Sequence, residues 1–87
     1  MLTTANNDQV QEILVRALSP YVGPTMARAS VRGLVERLAF GGQLARPQVE
    51  LLIDTLAPGL HVYVGKQKAQ AVVREMWVAL DALGGDP

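Results

Sequence analysis

The 87-residue chain has no cysteine, one histidine, four aromatic side chains and no excess of either charge. Without cysteine there is no disulfide framework and no thiolate metal site, and the redox compartment is left open. His61 has no second histidine, cysteine or acidic cluster beside it, which falls short of a metal-ligand set. The nearest acids in sequence are Asp54 and Glu75. No nucleophile–base arrangement assembles around His61 either, because Ser19, Ser30 and the threonines each have a plainer role at a helix end or a tight helix crossing. The glycines match neither GxxxxGK[ST] nor GxGxxG. Gly65-Lys66, with Lys68 beyond, offers an anion a helix N-terminus, but glycine there is explained by the turn alone.

Eight basic and eight acidic residues cancel, which removes the electrostatic footprint of a nucleic-acid or anionic-membrane binder. No stretch approaches the roughly 20 apolar residues of a membrane-spanning helix. The first ten residues, MLTTANNDQV, are polar and lack the basic-then-apolar run of a signal peptide. These absences lead to the expectation of a soluble, cytoplasmic, cofactor-free protein that is not an enzyme.

What the chain does have is apolar content, 49% against only 18% charged residues. That balance is the opposite of a disordered segment. The length suits a single domain over residues 1–87, with more apolar surface than one small core hides. Proline and glycine divide it into four periodic segments. The first runs from about Asp8 to Leu18, with Asn7 or Asp8 as cap, Glu12 and Arg16 four apart, and Ser19-Pro20 as its end. The second runs from Pro24 to about Phe40 on a stripe of Met26, Ser30, Val31, Leu34, Val35 and Leu38, stopped by Gly41-Gly42. The third starts near Pro47 and ends at Ala57-Pro58-Gly59, with Val49, Leu52, Ile53 and Leu56 inward. The fourth runs from about Lys66 to Leu83, stopped by Gly84-Gly85, with Trp77 expected to be at least half buried beside Val73, Met76 and Leu80. Leu60 to Val64 alternates like a strand without a partner and reads as an extended connector.

The segments repeat. Tyr21-Val22-Gly23 returns as Tyr63-Val64-Gly65, and at the same offset of forty-two Ala27 meets Ala69, Ala29 meets Ala71, Val31 meets Val73, Arg32 meets Arg74 and Leu38 meets Leu80. Upstream, QVQEILVRALSP resembles QVELLIDTLAP, after which the second copy inserts Gly59-Leu60-His61-Val62. Two repeats are too few for a solenoid, but two helical hairpins can cover each other's apolar faces. The fold expected is therefore all-α, a compact four-helix domain of two duplicated hairpins, about residues 9–40 and 48–83.

The stretch LSPYVGPTMARASVRGLVERL (Leu18 to Leu38) resembles a small helical domain of unknown function appended to bacterial signalling proteins. Those domains carry a similar aromatic, aliphatic, Gly-Pro run leading into an Ala- and Arg-containing helix. The resemblance implies a bacterial origin and an accessory module in signalling or scaffolding, and it brings no catalytic residues. The second copy has Lys66 in place of the motif's proline, so the resemblance does not extend there.

Candidate interaction residues follow from spacing and charge. Ala29 and Gly33 form a small-xxx-small pair that admits a close helix crossing, leaning toward one within the chain. An interior glycine costs about 1 kcal/mol relative to alanine unless a contact needs the space. Arg28 and Arg32 on the second segment and Glu50 and Asp54 on the third can pair within the domain or across a symmetric dimer. Leu51 lies off the inward stripe, and Val15, Phe40 and Leu44 are also hard to place in one small core. Such a surplus marks an interface. The leading expectation is a non-enzymatic module that self-associates as a homodimer or docks a helix of another protein. The alternative is a small-molecule sensor with its ligand between the hairpins near Tyr21, Tyr63 and Trp77, although abundant Ala and Gly favour a tight core over a roomy pocket.

Overall fold

Helix formation begins at an asparagine. In the computed structural model, which describes residues 4–83, Asn6 precedes helix α1 (Asn7–Val22) in an extended conformation. Its side-chain oxygen accepts from the backbone N–H of Asp8 at 2.8 Å and of Gln9 at 3.3 Å. These are two of the donors that a helix start leaves without partners. The cap thus lies one residue ahead of the expected Asn7 or Asp8. Asn7 is buried and does something else: its Nδ2 donates to the Gly41 carbonyl at 2.7 Å and its backbone N–H to the Gly42 carbonyl at 2.8 Å. Its Oδ1 accepts from Gln11 Nε2 at 2.8 Å. One asparagine fastens the Gly41-Gly42 loop to the head of α1.

Both hairpin corners are single glycines. Gly23 (φ 88°) joins α1 to α2 (Pro24–Leu38), and Gly65 (φ 84°) joins α3 (Arg46–Val64) to α4 (Lys66–Leu83). Each donates back to the carbonyl four residues earlier, Ser19 or His61, at 2.9 Å. Each then accepts from the alanine four residues on, Ala27 at 2.9 Å and Ala69 at 3.0 Å. Residues with a side chain rarely adopt such a φ, which explains why the repeated triplet ends in glycine.

Two helices run longer than the sequence suggests. Pro20 lies inside α1 and Pro58 inside α3. Both are exposed or nearly so, so water can satisfy the carbonyls four residues back that lose their donors. Leu60 to Val64 is the last part of α3 and not an extended connector. Leu60 is buried and Val64 packs against the core, which continues the helical spacing of Leu52 and Leu56. Its strand-like alternation is a coincidence of a short window.

α2 ends at Leu38, earlier than Gly41-Gly42 would imply. Ala39 takes the left-handed position (φ 56°, ψ 40°), with its N–H on the Glu36 and Val35 carbonyls. The inward face of α2 is also rotated from the expected stripe: Ala27, Val31, Leu34 and Val35 are buried, whereas Met26 and Ser30 are exposed. Leu83 of α4 is likewise exposed, and the expected stop at Gly84-Gly85 lies outside the described residues.

The short segments before α1 and α3 pair as antiparallel strands, β1 (Thr4–Asn6) and β2 (Gln43–Ala45), with Ala5 opposite Leu44. Three residues are too few to show a strand's alternation. Pairing places Ala5 and Leu44 in the core, so Leu44 is no surplus, and neither are the buried Val15 and half-buried Phe40. Ala45 precedes α3, where Pro47 takes the first turn and Gln48 Oε1 accepts from the Ala45 N–H at 2.8 Å.

The result is an all-α four-helix domain of two hairpins, closed by the β1–β2 clasp around one contiguous core. Val10 and Leu14 of α1 are completely excluded from solvent, as are Leu52 and Leu80. No helix among the described residues is long and apolar enough to cross a membrane.

Two substitutions test this packing. Leu44→Ala is expected to lower stability by about 2–5 kcal/mol, because it empties a filled core position. Ala39→Gly is expected to raise stability by about 0.5–1 kcal/mol by relieving the left-handed alanine. Thermal melts read both, and a lowered midpoint for Ala39→Gly would contradict the C-terminal geometry of α2.

Candidate functional site

The two hairpins do not meet symmetrically. α1 is 16 residues long and α3 is 19, so the inserted residues become nearly one extra helical turn. Three residues add about 4.5 Å and rotate the remainder of the helix by roughly 300°, about 60° short of a full turn. Exchanging the hairpins would carry the α1–α4 seam onto the α3–α2 seam. α4 packs closely along α1, whereas α2 meets α3 only sparingly.

The open seam is a cleft. Leu18 and Val22 of α1 form its floor, Met26 and Ser30 of α2 one wall, and Leu56, Gly59, Leu60 and Tyr63 of α3 the other. No charged residue lines it. The repeat offset shows why it stays open. Ser30 is exposed where its counterpart Val72 is buried, and Gly59, in the inserted stretch, brings no side chain to the α3 wall. Met26 and Tyr63 face the cleft where the closed seam has Lys68 over the Tyr21 ring, 5.8 Å from its centroid. The depression remaining on the closed seam is bordered by Arg16 and Glu75, a rim suited to water. Met26 and Tyr63 are instead 49% and 60% exposed, so the open seam presents apolar surface with no charge to solvate it.

Around the Gly23 corner the uncharged surface continues over Pro24, Thr25 and Ala29. The outer side of α2 then becomes basic, with Arg28 and Arg32 beside a shallow depression. Arg28, Ala29, Arg32 and Gly33 are all exposed there. A Cβ on Gly33 would meet nothing within 4 Å. The close crossing at Ala29 and Gly33 is therefore not made within the chain, contrary to the lean drawn from the sequence.

Glu50, Leu51 and Asp54 are exposed on α3, but the described ion pairs do not join them to Arg32. Arg28 pairs with Glu12 at 3.4 Å, so Glu12 reaches across to α2 and not along its own helix to Arg16. Glu50 pairs with Arg46 at 3.4 Å, and Arg46 also reaches Asp81 at 3.6 Å. These pairs are solvent-exposed and each contributes at most about 1 kcal/mol.

The three aromatic residues expected to share a pocket lie apart. Tyr63 borders the α2–α3 cleft, Tyr21 sits beside Lys68, and the Trp77 ring lies under the Arg46 guanidinium, 4.6 Å from its centroid. The cleft itself encloses ≈ 100 Å³, against roughly 300–1,000 Å³ for ligand pockets. Among the described residues no group of three or more His, Cys, Asp and Glu side chains could hold a metal ion. Met26, Ser30 and Gly59 were missed as site residues by sequence reasoning, although the mismatch of Met26 with Lys68 and of Ser30 with Val72 is visible in the repeat.

No family model, curated protein or solved structure matches the chain.

Trp77 thus works as packing between Arg46 and the core. Trp77→Ala is expected to lower stability by about 3 kcal/mol, measured by thermal or denaturant unfolding. An unchanged midpoint would remove its structural role.

Proposed function

We propose that the chain is a non-enzymatic interaction module that binds helices, either of a second copy or of another protein. The observation that carries this reading is the uncharged α2–α3 cleft, with half-exposed Met26 and Tyr63 on its rims. Burying such surface stabilises association by roughly 25 cal/mol per Å² before the entropic cost of binding is subtracted.

The strip Met26, Ala29, Ser30, Gly33 runs along the exposed side of α2 beside the cleft. Its small residues let a second helix approach the backbone, and Arg32 is placed to meet an acidic group of the partner. Glu50, Leu51 and Asp54 on α3 form a second exposed strip of complementary charge. The likeness of Leu18–Leu38 to domains appended to bacterial signalling proteins supports a scaffolding or signalling setting. A small-molecule sensor has less support, because Tyr21, Tyr63 and Trp77 lie at separate places and the cleft is small.

Gly33→Leu tests the reading. With nothing within 4 Å of the new Cβ, the variant is expected to keep its fold and to gain up to about 1 kcal/mol in stability from the lost interior glycine. Association, followed by sedimentation or light scattering, is expected to weaken as leucine fills the close approach. A variant that associates as well as the wild type would contradict docking along this strip.

A further inference from the structure

We infer that the end of α3, Leu60–Val64, is a hinged wall that widens the α2–α3 cleft by bending at Pro58 and Gly59. What the widening serves rests on the interaction-module reading, whereas the hinge is a property of the folded chain alone. Proline and glycine are the two residues least favourable in a helix interior, and α3 carries them side by side with Leu60–Val64 still to follow. Pro58 has no N–H to give the Asp54 carbonyl, and its ring crowds that turn. Gly59 adds a backbone joint that no side chain stiffens. A Cβ there would meet nothing within 4 Å, so no close packing accounts for the glycine. Beyond the joint, Val62, Tyr63 and Val64 are β-branched or aromatic and lose side-chain freedom in a helix.

Little holds this segment to the core. Leu60 is buried and Val64 half-buried, but His61, Val62 and Tyr63 are exposed, Val62 at 85%. α2, on the far side of the cleft, meets α3 only sparingly. The repeat supplies a comparison within the same chain. α1 also contains a proline, Pro20, but no glycine follows it, and only Tyr21 and Val22 remain before the corner. Both are half-buried against the core, with Lys68 over the Tyr21 ring. The closed seam is thus fixed at the place where the open seam is loose. Gly59, Leu60 and Tyr63 sit at or beyond the joint and make most of the α3 wall, while Leu56 precedes it. The cleft encloses ≈ 100 Å³, yet a docking helix presents several apolar side chains along one face. Bending at the joint carries Leu60 and Tyr63 away from α2 and makes that room, as a minor open state of the folded chain.

Native-state hydrogen exchange on the full chain, followed amide by amide, tests the hinge without any partner. Tyr63 and Val64 are expected to exchange at least about tenfold faster than Tyr21 and Val22, which stand equally far from their own corner. The double variant Pro58→Ala/Gly59→Ala restores the missing donor and stiffens the joint. It is expected to slow Tyr63 and Val64 by about tenfold or more, beyond any change at Leu52 and Ile53, which precede the joint. Widening is read with the apolar dye anilinonaphthalene sulfonate, whose fluorescence is expected to rise with the wild type and to fall in the double variant. Equal protection of the two Tyr-Val pairs overturns the hinge. Fast exchange that persists in the double variant assigns the motion to fraying of the helix end and overturns the joint. Dye fluorescence absent from the wild type, or unchanged in the double variant, overturns the widening of the cleft. Each of these failures leaves the docking reading standing, while a Gly33→Leu chain that associates normally removes docking along α2 and leaves the hinge.

Discussion

Helix α1 carries an apolar face too large for one neighbour to cover, and the rest of the domain depends on how that face is buried. Val10 and Leu14 are wholly excluded from water and Val15 and Leu18 nearly so, which requires partners on several sides. α2 supplies one side through the Gly23 corner and α4 another through close packing along α1, while α3 contributes a smaller contact. Neither hairpin encloses a core by itself, and each buries its apolar face against the other in one shared core. The β1–β2 clasp and the hydrogen bonds of Asn7 to Gly41 and Gly42 bring the two halves into that arrangement.

Duplication under this constraint has a physical consequence. Two identical hairpins would close both seams equally. The extra residues in α3 shift and rotate the end of that helix relative to its start, and the small side chains at Ser30 and Gly59 leave the second seam unfilled. One copy of the motif thus completes the fold, while its counterpart leaves an apolar cleft at the surface. Tyr21 and Tyr63 occupy equivalent places in the repeat, yet the first is partly buried beside Lys68 and the second is mostly exposed.

Much of the architecture was legible in the residues. Helical periodicity and the glycine after each Tyr-Val pair located the four helices and both corners, and the offset of forty-two revealed the two hairpins. The errors have identifiable causes. Proline disfavours a helix interior without forbidding it, and at Pro20 and Pro58 the helix continues with the freed carbonyls open to water, so neither marks an end. Three-residue strands leave no periodic signal, which hid the clasp and made Leu44 look like surplus. The site was less legible, because a cleft is a property of two elements at once: Ser30 looks like an inward small residue until its counterpart Val72 is seen to fill what Ser30 leaves empty. Charge alone suggested pairing Arg32 with Glu50 or Asp54, whereas Glu50 pairs with its own helix neighbour Arg46.

The central claim is that the uncharged α2–α3 seam is where the module docks a helix, in its simplest form that of a second copy. Amide chemical shifts of the wild-type chain, compared between dilute and concentrated solution, test it residue by residue without any substitution. The expected result is movement concentrated at Met26, Ser30, Gly59, Leu60 and Tyr63, with Arg16 and Glu75 left in place. Shifts that move with concentration only along α4 would contradict it, and shifts that do not move at all would exclude the second copy as the helix bound.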